Sequence, residues 1–388
     1  MNSLGNGFVI PFLFVYLHQI GLSYSIAGLV IAASGMASIL ASPVVGAAID
    51  RFGAHPVIVC ALMASAAGYA SFILVDQAWQ AFLAAIIAGV GTGGYWPAHG
   101  TLLATASSDA ERAWGGRYQM MALGFGVGVL IAGQVAHLGD PSSFHRLFVV
   151  DALTFVVCIF IIPRLPRHPR EHAERGGLLR VLSDRPFLFM FLLNTAMISA
   201  GISQFDVLPA YLTNEAGLSP REVSAVFVAN TVAVAGLQPL VGRGTSGRRR
   251  MAMISIAAAG WAAVWVGVLV IATSASGERA AVLFVLCGGV FGVAECLFAG
   301  SMGSVTADLA RPELLGRYMA VSALSWSIGA VIGPAMGGVL LSLSGTLQWL
   351  TQAAVLATAS VCALLGERLL PMRVRRSQVR GELATDGR

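Results

Sequence analysis

The sequence contains no lysine: all 24 of its basic side chains are arginine. This is read as a bias of genomic composition rather than a chemical requirement. Charge of either sign is scarce. Only 11% of the 388 residues are charged and 56% are apolar, whereas soluble domains carry about 25% charged residues. A soluble core of this size has no room for so many long apolar runs, so a polytopic membrane protein is expected. Five cysteines, Cys60, Cys158, Cys287, Cys296 and Cys362, lie in apolar segments without a C-x-x-C spacing. That pattern argues against a disulfide framework or a metal site and leaves them as small packing residues. There is no H-E-x-x-H, no G-x-S-x-G and no phosphate-binding loop. Neither enzymatic chemistry nor ATP-driven pumping is expected of this chain, and no cofactor is implied. No basic patch is interleaved with aromatics, so the net charge of +5 does not point to nucleic acid.

What the sequence has instead is twelve apolar segments, at about 1–18, 25–49, 56–75, 80–104, 117–137, 147–163, 187–211, 222–242, 251–272, 280–304, 317–342 and 347–366, each near the roughly 20 residues that a membrane helix needs. The connections after the even-numbered segments hold Arg51, Arg112, Arg164, Arg243, Arg311 and Arg368 with further arginines beside several of them, while the opposite connections hold only Arg146, Arg221 and Arg279. This asymmetry places both termini in the cytoplasm, with the protein in the cell (inner) membrane.

The two halves repeat. Gly116-Arg117-Tyr118 recurs as Gly316-Arg317-Tyr318, Gly89-Val90 as Gly289-Val290, Gly21-Leu-Ser23 as Gly217-Leu-Ser219, and Pro43-x-x-Gly46 as Pro239-x-x-Gly242. The matches keep their order at a nearly constant offset, as a tandem duplication would. The expected organisation is a six-helix bundle over 1–163, a cytoplasmic linker over 164–186, a second six-helix bundle over 187–366 and a basic tail over 367–388. His168 and His172, in the linker, are read as solvated residues rather than as a metal site, because a metal needs more ligands.

Carboxylates inside apolar spans are costly and usually functional. Glu295 lies well inside the tenth segment and Asp206 in the outer third of the seventh, and these two are the candidates for proton exchange. Asp151 is placed near the outer end of the sixth segment, in an interfacial or structural role.

One short charged turn organises the chain: Gly46-Ala-Ala-Ile-Asp50-Arg51-Phe-Gly53, between the second and third segments. Gly46 would let two helices approach closely, and Gly53 would permit the reversal. The turn resembles the loop signature of the major facilitator superfamily, roughly G-x-x-x-D-R/K-x-G-R/K-R/K, although Ala54 and His55 stand where the signature ends in two basic residues. Its counterpart in the second half has Ser246 in place of Asp50. Two further stretches carry the resemblance. Gly89-Val-Gly91-Thr-Gly93-Gly94-Tyr95-Trp96-Pro97-Ala-His99 is similar to the superfamily's R-x-x-x-G-x-G pattern, with Ala85 at the arginine position. Gly329-Ala-Val-Ile-Gly333-Pro334-Ala-Met-Gly337-Gly338 is similar to a helix-packing signature that drug antiporters carry in their fifth span, here in the eleventh.

The resemblance implies an all-α membrane protein of twelve helices in two six-helix pseudo-repeats, working by alternating access. It further implies a switch at Gly46, Asp50, Arg51 and Gly53, and proton-coupled export of amphipathic or hydrophobic small molecules in the manner of the drug/proton antiporter branch. Proton-coupled uptake of a small solute is the alternative. The expected partners are a small-molecule substrate, protons and the lipid bilayer, with the protein a monomer. Tyr16, Tyr95, Trp96, His99, Gln204 and Trp326 are candidates for lining a substrate cavity, with core packing the close alternative for each. The repeat also shows 24 residues of the seventh span ahead of Tyr211 against 15 ahead of Tyr16 in the first, so Met1 is expected to be internal to the first helix. The intact mass of protein made from the native gene is expected to exceed that of the present chain. A mass matching Met1 as the N-terminus would contradict this.

Overall fold

A computed structural model describes residues 2–106, 110–162, 181, 183–244, 247–310 and 315–376. Most of the expected linker, including His168 and His172, lies outside the described residues, as do Ser246, the side chain of Asp50 and the last part of the tail. The described chain is helical: α1 (Asn2–Gln19), α2 (Tyr24–Phe52), α3 (Ala54–Ser71), α4 (Ala78–Ala106), α5 (Ala110–Val135), α6 (Pro141–Ile161), α7 (Arg185–Ala200), α8 (Leu208–Asn214), α9 (Pro220–Gly244), α10 (Arg250–Ser274), α11 (Gly277–Leu309), α12 (Leu315–Leu343) and α13 (Gly345–Gly366). Helices α7 and α8 share one apolar span, Arg185–Asn214. Among the described residues, nine segments are long and apolar enough to cross a membrane, and Met120–Val135 is a shorter apolar helix. With α1 and α9, these are the twelve spans of the sequence reading.

Local signals set the helix ends. Ser23 caps α2, its hydroxyl accepting from the Ile26 amide at 3.3 Å. Gly53 ends α2 and starts α3 at φ 86°, a conformation that a Cβ disfavours. Ser219 and Glu222 form a capping box at the start of α9, with the Glu222 carboxylate accepting from the Ser219 amide at 2.7 Å and the Glu222 amide donating to the Ser219 hydroxyl at 3.4 Å. Asp140 caps α6, its carboxylate accepting from the Ser142 amide at 3.1 Å, with Pro141 at the first helical position. The Ser142 hydroxyl, donating at 2.6 Å, holds the Asp140 carboxyl below its usual range. This cap starts α6 about six residues earlier than hydropathy alone suggests, because it draws Ser142, Ser143, His145 and Arg146 into the helix.

The described residues divide into two compact units. One draws on 1–174, 204–228 and 330–345, the other on 175–203, 229–329 and 346–388. These units partition the chain differently from the sequence repeat, since segments of the seventh, eighth and eleventh spans belong with the first six. Within the first unit the helices meet on glycine faces. A methyl on Gly89 of α4 would collide with the Ser34 carbonyl of α2, and one on Gly93 with the Ser38 carbonyl. Gly28 and Gly338 stand against each other where α2 crosses α12, with the Pro334 and Tyr24 carbonyls filling the space a Cβ would need. Fully buried Phe12, Tyr16, Phe72, Phe144 and Phe148 form its aromatic core. In the second unit the corresponding mass is Trp261, Trp265 and Trp349, with Trp265 and Trp349 4.9 Å apart and Trp261 stacked on Phe291 at 5.0 Å.

Gly46 departs from expectation. A methyl there would meet no atom of the described residues, so among these Gly46 brings no helices together. The close-packing glycines lie on α4 instead, where alternate positions face α2. Replacing Gly89 with Ala is expected to lower the melting temperature in detergent, since overpacking costs about 1–3 kcal/mol. Gly46→Ala is expected to leave stability unchanged or raise it by up to about 1 kcal/mol through helix propensity. Equal losses for the two variants would contradict the packing account.

Candidate functional site

The seventh span is interrupted inside the membrane. Helix α7 stops at Gly201, a 3-10 turn covers Ile202–Phe205, and α8 begins with Pro209 in its first turn. Non-helical backbone at this depth persists only where protein groups satisfy it. In the second unit the Trp265 indole donates to the Ala200 carbonyl at 2.7 Å, and the Ser203 hydroxyl donates to the Gly329 carbonyl at 3.3 Å. In the first unit the Gln204 amide donates to the Gly333 carbonyl at 3.1 Å, immediately before Pro334. The Gly-Pro stretch of α12 is therefore tied to the interrupted span by side-chain bonds. Gln204 is fully buried, so it is a structural tie and not a surface-facing group. Asp206 sits directly after the 3-10 turn, half-buried, and so on a break rather than on a continuous helix.

Asp151 lies deeper than hydropathy suggested. The early start of α6 puts it at the middle of the span Pro141–Ile161, and its side chain is fully buried. Neither carboxyl oxygen has a hydrogen-bond partner among the described residues. Gly5 of α1 makes the room for it: a methyl there would collide with the Asp151 carboxyl and the Thr154 hydroxyl. An interfacial role near the outer end is thus replaced by a mid-membrane position. Tyr69 of α3, stacked on Phe155 at 5.8 Å, lies within electrostatic reach of both Asp151 and Asp206. Three polar groups from α3, α6 and the span break are grouped here in the first unit. Tyr69 was invisible as a site residue in the sequence because a lone tyrosine in an apolar run carries no pattern.

The other aromatic candidates separate into two kinds. Tyr16 is fully buried among Phe144 and Phe148, and its hydroxyl donates to the Phe72 carbonyl at 2.7 Å. It belongs to the core. Tyr95, Trp96 and His99 do come together on α4. Tyr95 and His99 stack at 5.3 Å, one turn apart, and Trp96 meets both edge-on at 5.3 and 6.4 Å. Trp96 is exposed, whereas Tyr95 also packs against the Ile58, Leu62 and Phe155 cluster.

In the second unit, Glu295 lies in the middle of α11 and is half-buried. The Asn230 amide of α9 donates to its carboxylate at 3.1 Å. Gly292, one turn earlier, permits this approach: a methyl there would come within 2.8 Å of the Asn230 carbonyl. Asn230 is a neighbour of Glu295 that the sequence reading missed. Its polarity inside an apolar span was the available signal, but the pairing spans 65 residues. Trp326 of α12 is exposed and meets Phe298 of α11 at 6.3 Å, one turn beyond Glu295. At the charged turn between α2 and α3, the guanidinium of Arg51 lies 5.2 Å from the Phe52 ring and is solvent-exposed. Among the described residues, no group of three or more His, Cys, Asp or Glu side chains could hold a metal ion.

Comparison with known proteins accounts for this architecture. The family model of the Major Facilitator Superfamily matches residues 1–207 and again 196–384. The chain is similar to the multidrug resistance protein MdtH of Yersinia enterocolitica, 24% identical over 312 residues, covering 78% of this chain and 74% of that protein. It is also similar to Multidrug resistance protein 2 of Bacillus subtilis, 22% identical over 354 residues, covering 88% and 86%. Its fold matches the inward open structure of the xylose transporter XylE from E. coli with a TM-score of 0.74 at 15% identity, covering 95% of each chain. Twelve helical spans, two matches of one family model in tandem and relatives along most of the length leave one conclusion: this chain is a multi-pass membrane protein that belongs to the Major Facilitator Superfamily of transporters.

Proposed function

We propose that this protein exports amphipathic or hydrophobic small molecules by alternating access, driven by proton exchange at Glu295. The observation that carries the reading is the pairing of Glu295 with Asn230. A carboxyl that must gain and lose a proton needs a neighbour that serves both forms. An amide does this, because its N–H donates to the carboxylate and its C=O accepts from the carboxylic acid. A fixed arginine would instead hold the group ionised. Asp206, at the span break, is the second proton carrier, and Asp151 with Tyr69 extends the polar group in the first unit. Substrate-facing aromatic surface comes from Trp96 and Trp326, with Tyr95 and His99 beside the former. Such faces suit planar or cationic drug-like molecules. Tyr16 and Gln204, whose polar atoms are used inside the protein, drop out of that set.

Export rather than uptake is favoured by the relatives named for multidrug resistance. The repeat-related halves, 1–163 and 187–366, are the moving bodies of the cycle, both termini are cytoplasmic, and the turn holding Asp50 and Arg51 stabilises one of the two states. In the first unit the α2–α12 crossing at Gly28 and Gly338 is a close seam that the cycle must part and re-form.

The test is accumulation of a lipophilic cationic dye in cells lacking their main exporters, at matched expression. Wild type is expected to lower accumulation, and Glu295→Gln, Asp206→Asn and Asp50→Asn to return it to the empty-vector level. A proton ionophore should do the same to wild type. Wild-type accumulation equal to empty vector, or full export by Glu295→Gln, would overturn the reading. A double-mutant cycle on Asn230→Ala and Glu295→Ala, read by unfolding in detergent, is expected to give a coupling of about 1 kcal/mol. Additive losses would show that the pair does not act together.

A further inference from the structure

The end of the last span does not run out into water. Helix α13 passes into a 3-10 turn at Glu367–Leu369, and after Pro371 a second turn at Met372–Val374 brings the chain back to the start of α10. Arg376 pairs with Arg249 in an antiparallel bridge, and the Arg250 amide donates to the Arg375 carbonyl at 2.9 Å. Two ion pairs lock the fold-back. Arg249 grips Glu367. Arg250, nearly buried, reaches Asp308 at 2.5 Å and also the Val374 carbonyl at 3.4 Å. The Arg375 guanidinium is pinned by the Leu370 and Arg368 carbonyls at 2.9 and 3.2 Å.

The fold-back encloses an open cavity of about 660 Å³. Four arginines, Arg249, Arg368, Arg375 and Arg376, line it with one acidic residue, Glu367. Glu367 is already held by Arg249, so the cavity keeps a strong positive excess. The side chains of Arg368 and Arg376 are exposed and make no hydrogen bond among the described residues. Leu364, Leu365 and Met372 line the remainder, with Leu365 64% and Met372 78% exposed. The cavity lies where the spans Arg250–Ser274 and Gly345–Leu369 reach the membrane edge on the same side.

Cations at headgroup level beside bare apolar side chains match a molecule that is anionic at one end and hydrocarbon at the other. We propose that this cavity is a binding site for the phosphate headgroup of an anionic phospholipid. Arg368 and Arg376 take the phosphate, for which the planar guanidinium is a two-pronged donor. Leu364, Leu365 and Met372 take the first carbons of the acyl chains. A free inorganic phosphate would use the arginines and gain nothing from the apolar wall. Basic pockets between membrane helices are a recognised physical solution for anionic lipids. The site is separate from the carboxylates assigned to proton exchange, so it stands or falls independently of the transport reading.

The experiment uses the full chain purified in a neutral detergent. Retention of phosphatidylglycerol and of phosphatidylcholine is measured by native mass spectrometry, for wild type and for the double variant Arg368→Gln/Arg376→Gln. Neither side chain supports the fold-back, so the variant's melting temperature without lipid should equal that of wild type. Wild type is expected to retain phosphatidylglycerol in preference to phosphatidylcholine. The double variant is expected to bind phosphatidylglycerol roughly thirtyfold more weakly, with phosphatidylcholine unchanged. Glycerol phosphate or inorganic phosphate at millimolar concentration should not displace the lipid. Equal retention of the two lipids, unchanged affinity in the double variant, or ready displacement by inorganic phosphate would each overturn the proposal, the last by showing a site for free anions. Should the double variant melt lower, Arg376→Lys, which keeps the charge but loses the fork, is expected to weaken binding by less, and a loss equal to that of the double variant would overturn the assignment.

Discussion

Every backbone amide and carbonyl inside the hydrocarbon must find a partner within the protein, because none is available from lipid. The helices satisfy this by themselves. Among the described residues, the interrupted seventh span shows what the rule demands of side chains. Between Gly201 and Leu208 the helix gives way to a 3-10 turn, where the Trp265 indole satisfies the Ala200 carbonyl and the Ser203 and Gln204 side chains donate to carbonyls of α12. The cost of the break is thereby offset, and the break puts Asp206 at a bend. Gln204 reaches the carbonyl of Gly333, next to Pro334, and Ser203 that of Gly329, so the interrupted span is tied to α12 at two points.

The same scarcity of partners governs helix packing. Lipid tails are as apolar as leucine, so helices associate through close contact rather than through exclusion of water. Glycines at Gly28, Gly89, Gly93 and Gly338 bring backbone against backbone, with a neighbour's carbonyl occupying the place of a side chain. Gly5 and Gly292 use the space differently. Each admits a polar side chain, Asp151 in one case and Asn230 in the other, and in that way decides where a carboxyl can stand in the membrane interior.

Charge follows from the constraint as well. Among the described residues, Arg249 and Arg250 stand at the start of α10 and pair with Glu367 and Asp308. The few acids within spans are placed by packing. Glu295 has a neutral amide beside it, and Asp151 is enclosed without a described hydrogen-bond partner. An amide can serve both the charged and the neutral form of a carboxyl, and the proposed proton exchange at Glu295 rests on that.

The fold was largely legible in the sequence, because membrane helices are specified by length and apolarity, which are local, and the repeat by order along the chain. The twelve spans, the all-helical class and the family followed from those properties, and Gly53 at its reversal follows from its backbone alone. Boundaries slipped where a cap overrode hydropathy, as Asp140 and Pro141 did in carrying α6 back over Arg146 and so moving Asp151 to mid-membrane. The site was legible only as a set of residue types. That Tyr16 and Gln204 are used internally, that Gly46 meets no neighbour among the described residues, that Asn230 meets Glu295 and that the segment after α13 folds back onto Arg249 are all decided by tertiary structure. Each depends on which faces of distant helices meet, and helix faces in a membrane carry too little polar contrast for sequence to orient them.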